Sequence, residues 1–412
     1  MYNYHADIVW LANKIMFVVI MSTILVTLAC VLLKNNLWAK RRNALNKIKL
    51  NLSEIVLARQ SISQDVCYPL ITNITTEQFI DIVTNRRIEA EFFNDKEKDF
   101  FIHCFSNSET LSRLQKRARS PRNKWRRIEA ILALGYTKEQ SSIDILKDAI
   151  SSKDSDVTYF SMVALGQIKN ARAAHPLLKL LQKDPSKGYK IVSILESFPE
   201  EVSPEAAKLT DYHDPLVRYW ALRLLSKMKP ADYINQIEKL TRDPNAEVRA
   251  AACDCLAGTK DSGVSTALLK CMKDESWLVR SRAILALEKI KGAEALPEAL
   301  KLINDASWSV LDAIREIMVL HIDAALPYIE KFLEGKDEVA KKYSVMALED
   351  SGYILKLLTA AVVEGDKSNA MRLLKDIVDS RVRFGLDAAM SHLEPSLRIK
   401  AQKIVDHIGR AV

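Results

Sequence analysis

Eight cations stand between Arg113 and Arg127 with no acid among them: Arg113, Lys116, Arg117, Arg119, Arg122, Lys124, Arg126 and Arg127. Ammonium and guanidinium groups are donors only, and the guanidinium fork matches carboxylate and phosphate oxygens. The chemistry this run offers is therefore recognition of an anion: an acidic partner segment, a phosphate or an anionic lipid headgroup. The bland alternative is a solvated face beside an acidic neighbour. Nucleic acid is not expected, because the run holds one aromatic, Trp125, and no interleaved stacking series.

Other chemistry is hard to place. There is no GxxxxGK[ST] loop, and Gly258 to Gly263 lacks the lysine that would reach a phosphate. GxSxG and HExxH are also missing. The six cysteines, Cys30, Cys67, Cys104, Cys253, Cys255 and Cys271, form no CxxC pair. They read as small buried thiols of a reducing compartment rather than as metal ligands or disulfides. The histidines are scattered, and His213 beside Asp214 reads as a structural donor in a turn. The expectation is a chain that is not an enzyme, with no catalytic, cofactor-binding or metal-binding residue, no cofactor and no small-molecule substrate.

The elements that must carry the basic run and its neighbours are repeated ones. Val248, Val279 and Val310 fall 31 residues apart. Asp154, Asp184, Asp214, Asp243, Asp274 and Asp305 follow at steps of 30, 30, 29, 31 and 31. Self-similarity at a fixed period marks a solenoid, whose units hide their apolar faces against one another. Each Asp is expected to open a helix by accepting from free amides, helped by Pro185, Pro215 and Pro244, which have no amide hydrogen to lose. An alanine-rich first helix follows, as in FSMVALGQI and RAILALEKI. The second is expected to hold proline in its first turn, at Pro176, Pro297 and Pro327. Arg218, Arg249 and Arg280 follow three of the valines; with the aspartates they suggest hydrogen bonding between repeats rather than a charged groove. Trp277 and Trp308 take the same place in consecutive units, either as partner-binding anchors or as staples at the helix start.

The Asp, Val-Arg and proline pattern resembles the short bacterial HEAT-like repeats, of the kind also found in phycobilin lyases, over about 290 residues. The unit, near 31 residues, is shorter than the roughly 40 to 47 usual for HEAT repeats. Lys187 to Leu209 and Asp337 onward fit the consensus poorly, so about eight to ten repeats are expected, closed by Leu397 to Val412. The resemblance implies an all-α fold and a groove that binds a protein partner. A repeat-fold enzyme of the lyase type is the alternative, but nothing marks a chromophore site. The iron chemistry of deoxyhypusine hydroxylase does not carry over, because this chain has no His-Glu dipeptide. HEAT-like alkylpurine glycosylases act on DNA, which a neutral array does not suit.

Composition agrees with helices: among 412 residues there are 11 Gly and 12 Pro, with 48% hydrophobic. The net charge of +8 lies entirely between Lys34 and Ala130, where 19 basic residues face 11 acidic ones. Ile15 to Leu33 is uncharged and, at about 28 Å as a helix, long enough for a lipid core. Trp10 and Trp38 flank it, and Lys34, Lys40, Arg41 and Arg42 follow. That reads as a single transmembrane helix contacting the bilayer, with the N-terminus outside and the repeats cytoplasmic at a bacterial inner membrane. The organisation expected is residues 1–34 as tail and transmembrane helix, 35–119 as a basic helical connecting segment, and 120–412 as the α-solenoid. The function expected is a membrane-anchored scaffold or adaptor, with surface-polysaccharide synthesis one setting. An anionic-lipid surface sensor acting through Arg113 to Arg127 is a further alternative.

Overall fold

The computed structural model describes residues 109–364, 369–379 and 384–410 except 199 and 229, with isolated helical positions between 27 and 80. Every regular element among the described residues is helical. The chain divides into two compact units, Met1–Leu177 and Leu178–Val412.

In the first unit, α1 (Glu109–Arg119) packs on α2 (Lys124–Thr137) and α3 (Ile143–Ile150), and α2 stacks along α4 (Ser155–Ile168). Thr110, Leu114 and Ala118 are the buried residues of α1. Their fourfold spacing puts them on one stripe, which leaves the cations facing outward. The α2–α4 approach is close because Gly135 has no side chain: a Cβ there would sit 2.6 Å from Ala164 Cα. Asn123 accepts from the Arg126 amide to start α2, and Asp154 accepts from Asp156 and Val157 to start α4. The next helix, α5 (Ala171–Lys183), spans the division between the units.

The second unit is an α-solenoid. Its first helices are α6 (Gly188–Leu195), α8 (Pro215–Leu225), α10 (Ala246–Ala257), α12 (Trp277–Lys291), α14 (Trp308–Leu320) and α16 (Glu338–Asp350), each stacked on the next. The helices between them, α7 (Ser203–Lys208), α9 (Ile234–Leu240), α11 (Ser265–Cys271), α13 (Leu296–Leu300) and α15 (Ile322–Glu334), each pack on the first helix that follows. The periodic valines Val217, Val248, Val279 and Val310 are fully buried in this stack, each stabilising it by about 1.5–3 kcal/mol. The stack ends in α17 (Tyr353–Glu364), α18 (Asn369–Asp379), α19 (Phe384–Ser391) and α20 (Pro395–Arg410), packed on one another. In α20, Ala401 and Ile408 face inward while Arg398, Ile399, Lys400 and Lys403 stay exposed.

Three expectations are corrected. The aspartates divide into two series, offset by two residues, and Asp184 belongs to neither: it precedes a 3₁₀ turn over Pro185–Lys187, makes no side-chain cap and pairs with Lys187. Asp154, Asp214 and Asp337 stand three residues before Val157, Val217 and Ala340 and cap helices. Asp243, Asp274 and Asp305 stand five before their valines, where Asn245, Ser276 and Ser307 take the cap position. The 29-residue step from Asp214 to Asp243 is where the series changes place. Next, Pro176 and Pro327 lie inside α5 and α15 rather than in a first turn. Those helices begin earlier than α13, where a 3₁₀ turn over Gly292–Ala295 comes first and Pro297 does fall at the start.

The third correction concerns the membrane. Among the described residues, no helix is long and apolar enough to cross one. The longest described helix, α20, has 16 residues, about 24 Å, and it is studded with charge. Of Ile15 to Leu33 only Thr27, Val31 and Leu32 are described; the rest of that run lies outside the described residues. The single-pass, inner-membrane placement, with its outside tail and bilayer contact, is therefore not retained.

Candidate functional site

Two features of the sequence acquire geometry. The basic run does not lie along one helix. It breaks at Ser120 and Pro121, between α1 and α2, so the end of one helix and the start of the next fold toward each other. The result is a recess of about 350 Å³ lined by Arg113, Lys116 and Arg117 of α1, Ser120, Arg122 and Asn123 of the turn, and Arg126 and Arg127 of α2. No carboxylate lines it among the described residues. Arg127 donates from Nε to the Ala118 carbonyl at 3.0 Å, which fixes one wall. Arg113 pairs with Glu109 at 2.7 Å on the exposed side.

The other two cations do not join the recess. Lys124 bridges Asp154 at 2.9 Å and Asp156 at 2.6 Å, and these hydrogen bonds, to Asp156 first and then Asp154, raise its pKa. Arg119 is exposed but does not line the recess. Beside the recess Trp125 is 64% exposed, with the Lys124 ammonium 5.5 Å from its ring centroid.

In the second unit the periodic arginines and aspartates form three rungs of one design. Arg218 donates to Asp243 from Nε at 2.7 Å and Nη2 at 2.8 Å, and from Nη1 to the Tyr212 and His213 carbonyls. Arg249 repeats this with Asp274 and the Asp243 and Pro244 carbonyls, and Arg280 with Asp305 and the Asp274 and Glu275 carbonyls. Both partners of every rung are nearly buried. Burial pushes the Asp274 and Asp305 carboxyls up, but the guanidiniums and the Ser276 and Ser307 amides outweigh it and hold them below 3.8. The rung carboxylates are engaged inside the protein, so the ladder joins repeats; Asp243, Arg249 and Asp274 also line a recess of about 810 Å³ with Arg242, Lys270 and Glu275.

Trp277 and Trp308 are the first residues of α12 and α14. They remain 48% and 73% exposed, so neither is a buried staple. Leu216 and Val339, at the starts of α8 and α16, are also exposed apolar side chains.

Sequence reasoning missed Asp254. This residue lies between Cys253 and Cys255 on α10, near Arg223 at 3.8 Å and Arg282 at 4.0 Å. Burial raises its carboxyl despite Arg282, Arg223 and Lys289. A lone acid inside the alanine-rich AAACDCLA was the available signal. The flanking thiols point to different faces, yet both are buried, because α10 is packed by α8, α9 and α12. Among the described residues, no group of three His, Cys, Asp or Glu is placed to hold a metal ion.

Residues 111–196 and 234–318 match the family model for HEAT repeats. The HEAT-repeat match leaves out 197–233, where α7 is only six residues long, and everything after 318. No curated protein matches the sequence. Among solved structures, an engineered protein is 17% identical with a TM-score of 0.29, covering 81% of this chain and 98% of its own. A second engineered protein gives 16% and 0.26, covering 60% and 97%. A designed armadillo repeat protein gives 18% and 0.26, covering 44% and 100%.

Proposed function

We propose that this chain is a protein-binding scaffold whose second unit holds an extended segment of a partner protein along the edge marked by Trp277 and Trp308. The observation that carries this reading is the exposure of two tryptophans at the same place on adjoining helices. Large aromatic side chains left in water on a rigid frame are the usual anchors of an interface. HEAT repeats typically build such frames, with each unit repeating the same edge at a fixed spacing.

The test is site-specific photocrosslinking in cells from position 278, beside Trp277. A discrete protein adduct, identified by mass spectrometry and lost in Trp277→Ala/Trp308→Ala, is expected. Circular dichroism would confirm that the variant keeps its helices. An adduct pattern unchanged by the double substitution would reject this edge as the partner site.

A further inference from the structure

One repeat holds two thiols where its neighbours hold branched apolar side chains. Cys253 stands five residues after Val248, and Cys271 three before Asp274. The same two places are Leu222 and Leu240 in the repeat before, and Ile284 and Leu302 in the repeat after. Both positions change together, and both give up core volume that a larger side chain would fill. The two sulfurs are in contact: Cys253, on α10, hydrogen-bonds Cys271, the last residue of α11. Both thiols are free and buried, but they differ in what lies beside them. Cys271 forms part of the wall of the recess of about 810 Å³ that the Arg249 rung also lines, whereas neither Cys253 nor Cys255 reaches it. The Cys253 thiol donates to the Cys271 sulfur. That bond, with the Thr241 hydroxyl and the Arg249 charge, holds Cys271 below the usual thiol range against burial and the Asp274 carboxylate. The same contact, and burial, push the Cys253 thiol up.

We infer that Cys271 and Cys253 form a peroxide-sensitive thiol pair, in which peroxide entering the recess oxidises Cys271 and Cys253 closes a disulfide onto it. The thiolate is the reactive form of cysteine, and a thiolate beside a second thiol is the arrangement that peroxide oxidises reversibly. The Cys271 thiolate attacks one peroxide oxygen: an S–O bond forms, the O–O bond breaks, and the departing hydroxide joins the proton that Cys271 gave up. The Cys253 sulfur then attacks the sulfenic acid. An S–S bond forms, the S–O bond breaks, and hydroxide leaves as water with the Cys253 proton. In sum the two thiols lose two hydrogens and one peroxide becomes two waters; a dithiol reductant reverses the step by exchange. Cys255 takes no part, because it lies on another face of α10 and burial pushes its thiol up to about 12. A pair that only filled space would need neither an opening beside Cys271 nor a second sulfur against it. Nothing in the pair depends on the tryptophan edge or its partner.

The test takes the full chain, reduces it with dithiothreitol, removes the reductant and adds hydrogen peroxide. The chain is then unfolded in guanidinium with N-ethylmaleimide, and peptides are mapped by mass spectrometry without reductant. Cys253 should be found joined to Cys271, and Cys271 should be oxidised at least about tenfold faster than Cys255. Dithiothreitol should restore both thiols, and Cys255→Ser should leave the bond intact. In Cys253→Ala, shown by circular dichroism to keep its helices, dimedone should label Cys271 as a sulfenic acid that has lost its resolving thiol. The unaltered chain should label far less. Oxidation of Cys271 no faster than that of Cys255 overturns the inference. So does a bond from Cys271 to any cysteine other than Cys253, or dimedone labelling as strong in the unaltered chain as in Cys253→Ala. The rates and the pairing come from the unaltered chain, so a variant that misfolds still leaves the inference open to refutation.

Discussion

Replacing Arg249 with methionine keeps most of the side chain's volume and removes its charge. The side chain is 9% exposed and its partner Asp274 13%. Two charge-assisted hydrogen bonds of 2.8 Å are lost, together with bonds to the Asp243 and Pro244 carbonyls. The Asp274 carboxylate then keeps the Ser276 amide as its hydrogen-bond donor and the charge of Arg280, which bonds the Asp274 carbonyl. Breaking a buried pair from one side costs about 3–5 kcal/mol, because the remaining charge is left without compensation. Arg372→Ala is the comparison: it removes an exposed pair, with side chains 58% and 37% accessible, expected to matter by about 0–1 kcal/mol. Native-state hydrogen exchange suits a repeat array, which need not unfold as one unit. Amides of α10 and α12 should exchange about two to four orders of magnitude faster in Arg249→Met. The pH dependence follows from the depressed Asp274 pKa. Stability from the pair is full above 3.8, the unfolded value, and is lost as pH falls through the lower folded value. The difference between wild type and variant should therefore narrow in acid. An effect of Arg249→Met no larger than that of Arg372→Ala would refute the view that the ladder holds the repeats together.

Other outcomes follow from single contacts. Asp254→Asn should stabilise the protein at neutral pH, because burial raises that carboxyl and penalises its charge; urea midpoints measured across pH should show the gain shrinking as pH falls through the raised value. Gly188→Ala would place a Cβ 2.1 Å from Trp220 Nε1, and calorimetry should show a loss of about 1–3 kcal/mol from the forced shift. The Cys255 thiol, pushed up to about 12 by burial, should resist iodoacetamide in the native protein and react once it is unfolded in guanidinium, as read by mass spectrometry.

The stacking of first helices was legible in the sequence because it rests on a spacing: Val217, Val248, Val279 and Val310 repeat where each helix meets the next. The Arg–Asp rungs were legible for the same reason. What spacing could not separate was the role of the two aspartate positions, since a cap and a rung partner differ by only two residues. The recess was legible only as a list of charges. Its shape comes from the break at Ser120 and Pro121, which turns a linear run into two facing walls and sends Lys124 elsewhere. The exposure of Trp277 and Trp308 depends on what packs beside them, which neither residue's type reveals. The hydrophobic stretch near the amino end shows the opposite hazard, a composition signal for which the described helices supply no spanning element.

The ladder also has two ends. Tyr212 stands where the rung between α6 and α8 would need its acid, and Leu311 where the rung between α14 and α16 would need its guanidinium. Gly335 stands where that rung would need its acid, and Asp337, which caps α16, accepts from the neutral amide of Asn304. The stretch from α8 to α14 is thus splinted by the Arg–Asp rungs, while the joint between α14 and α16 is bridged differently, by Arg315 with Asp350 and by Asn304 with Asp337. Under load the stretch from α8 to α14 should therefore stay stiff, like a leaf spring clamped at its middle, and a segment lying across Trp277 and Trp308 would rest on its splinted part.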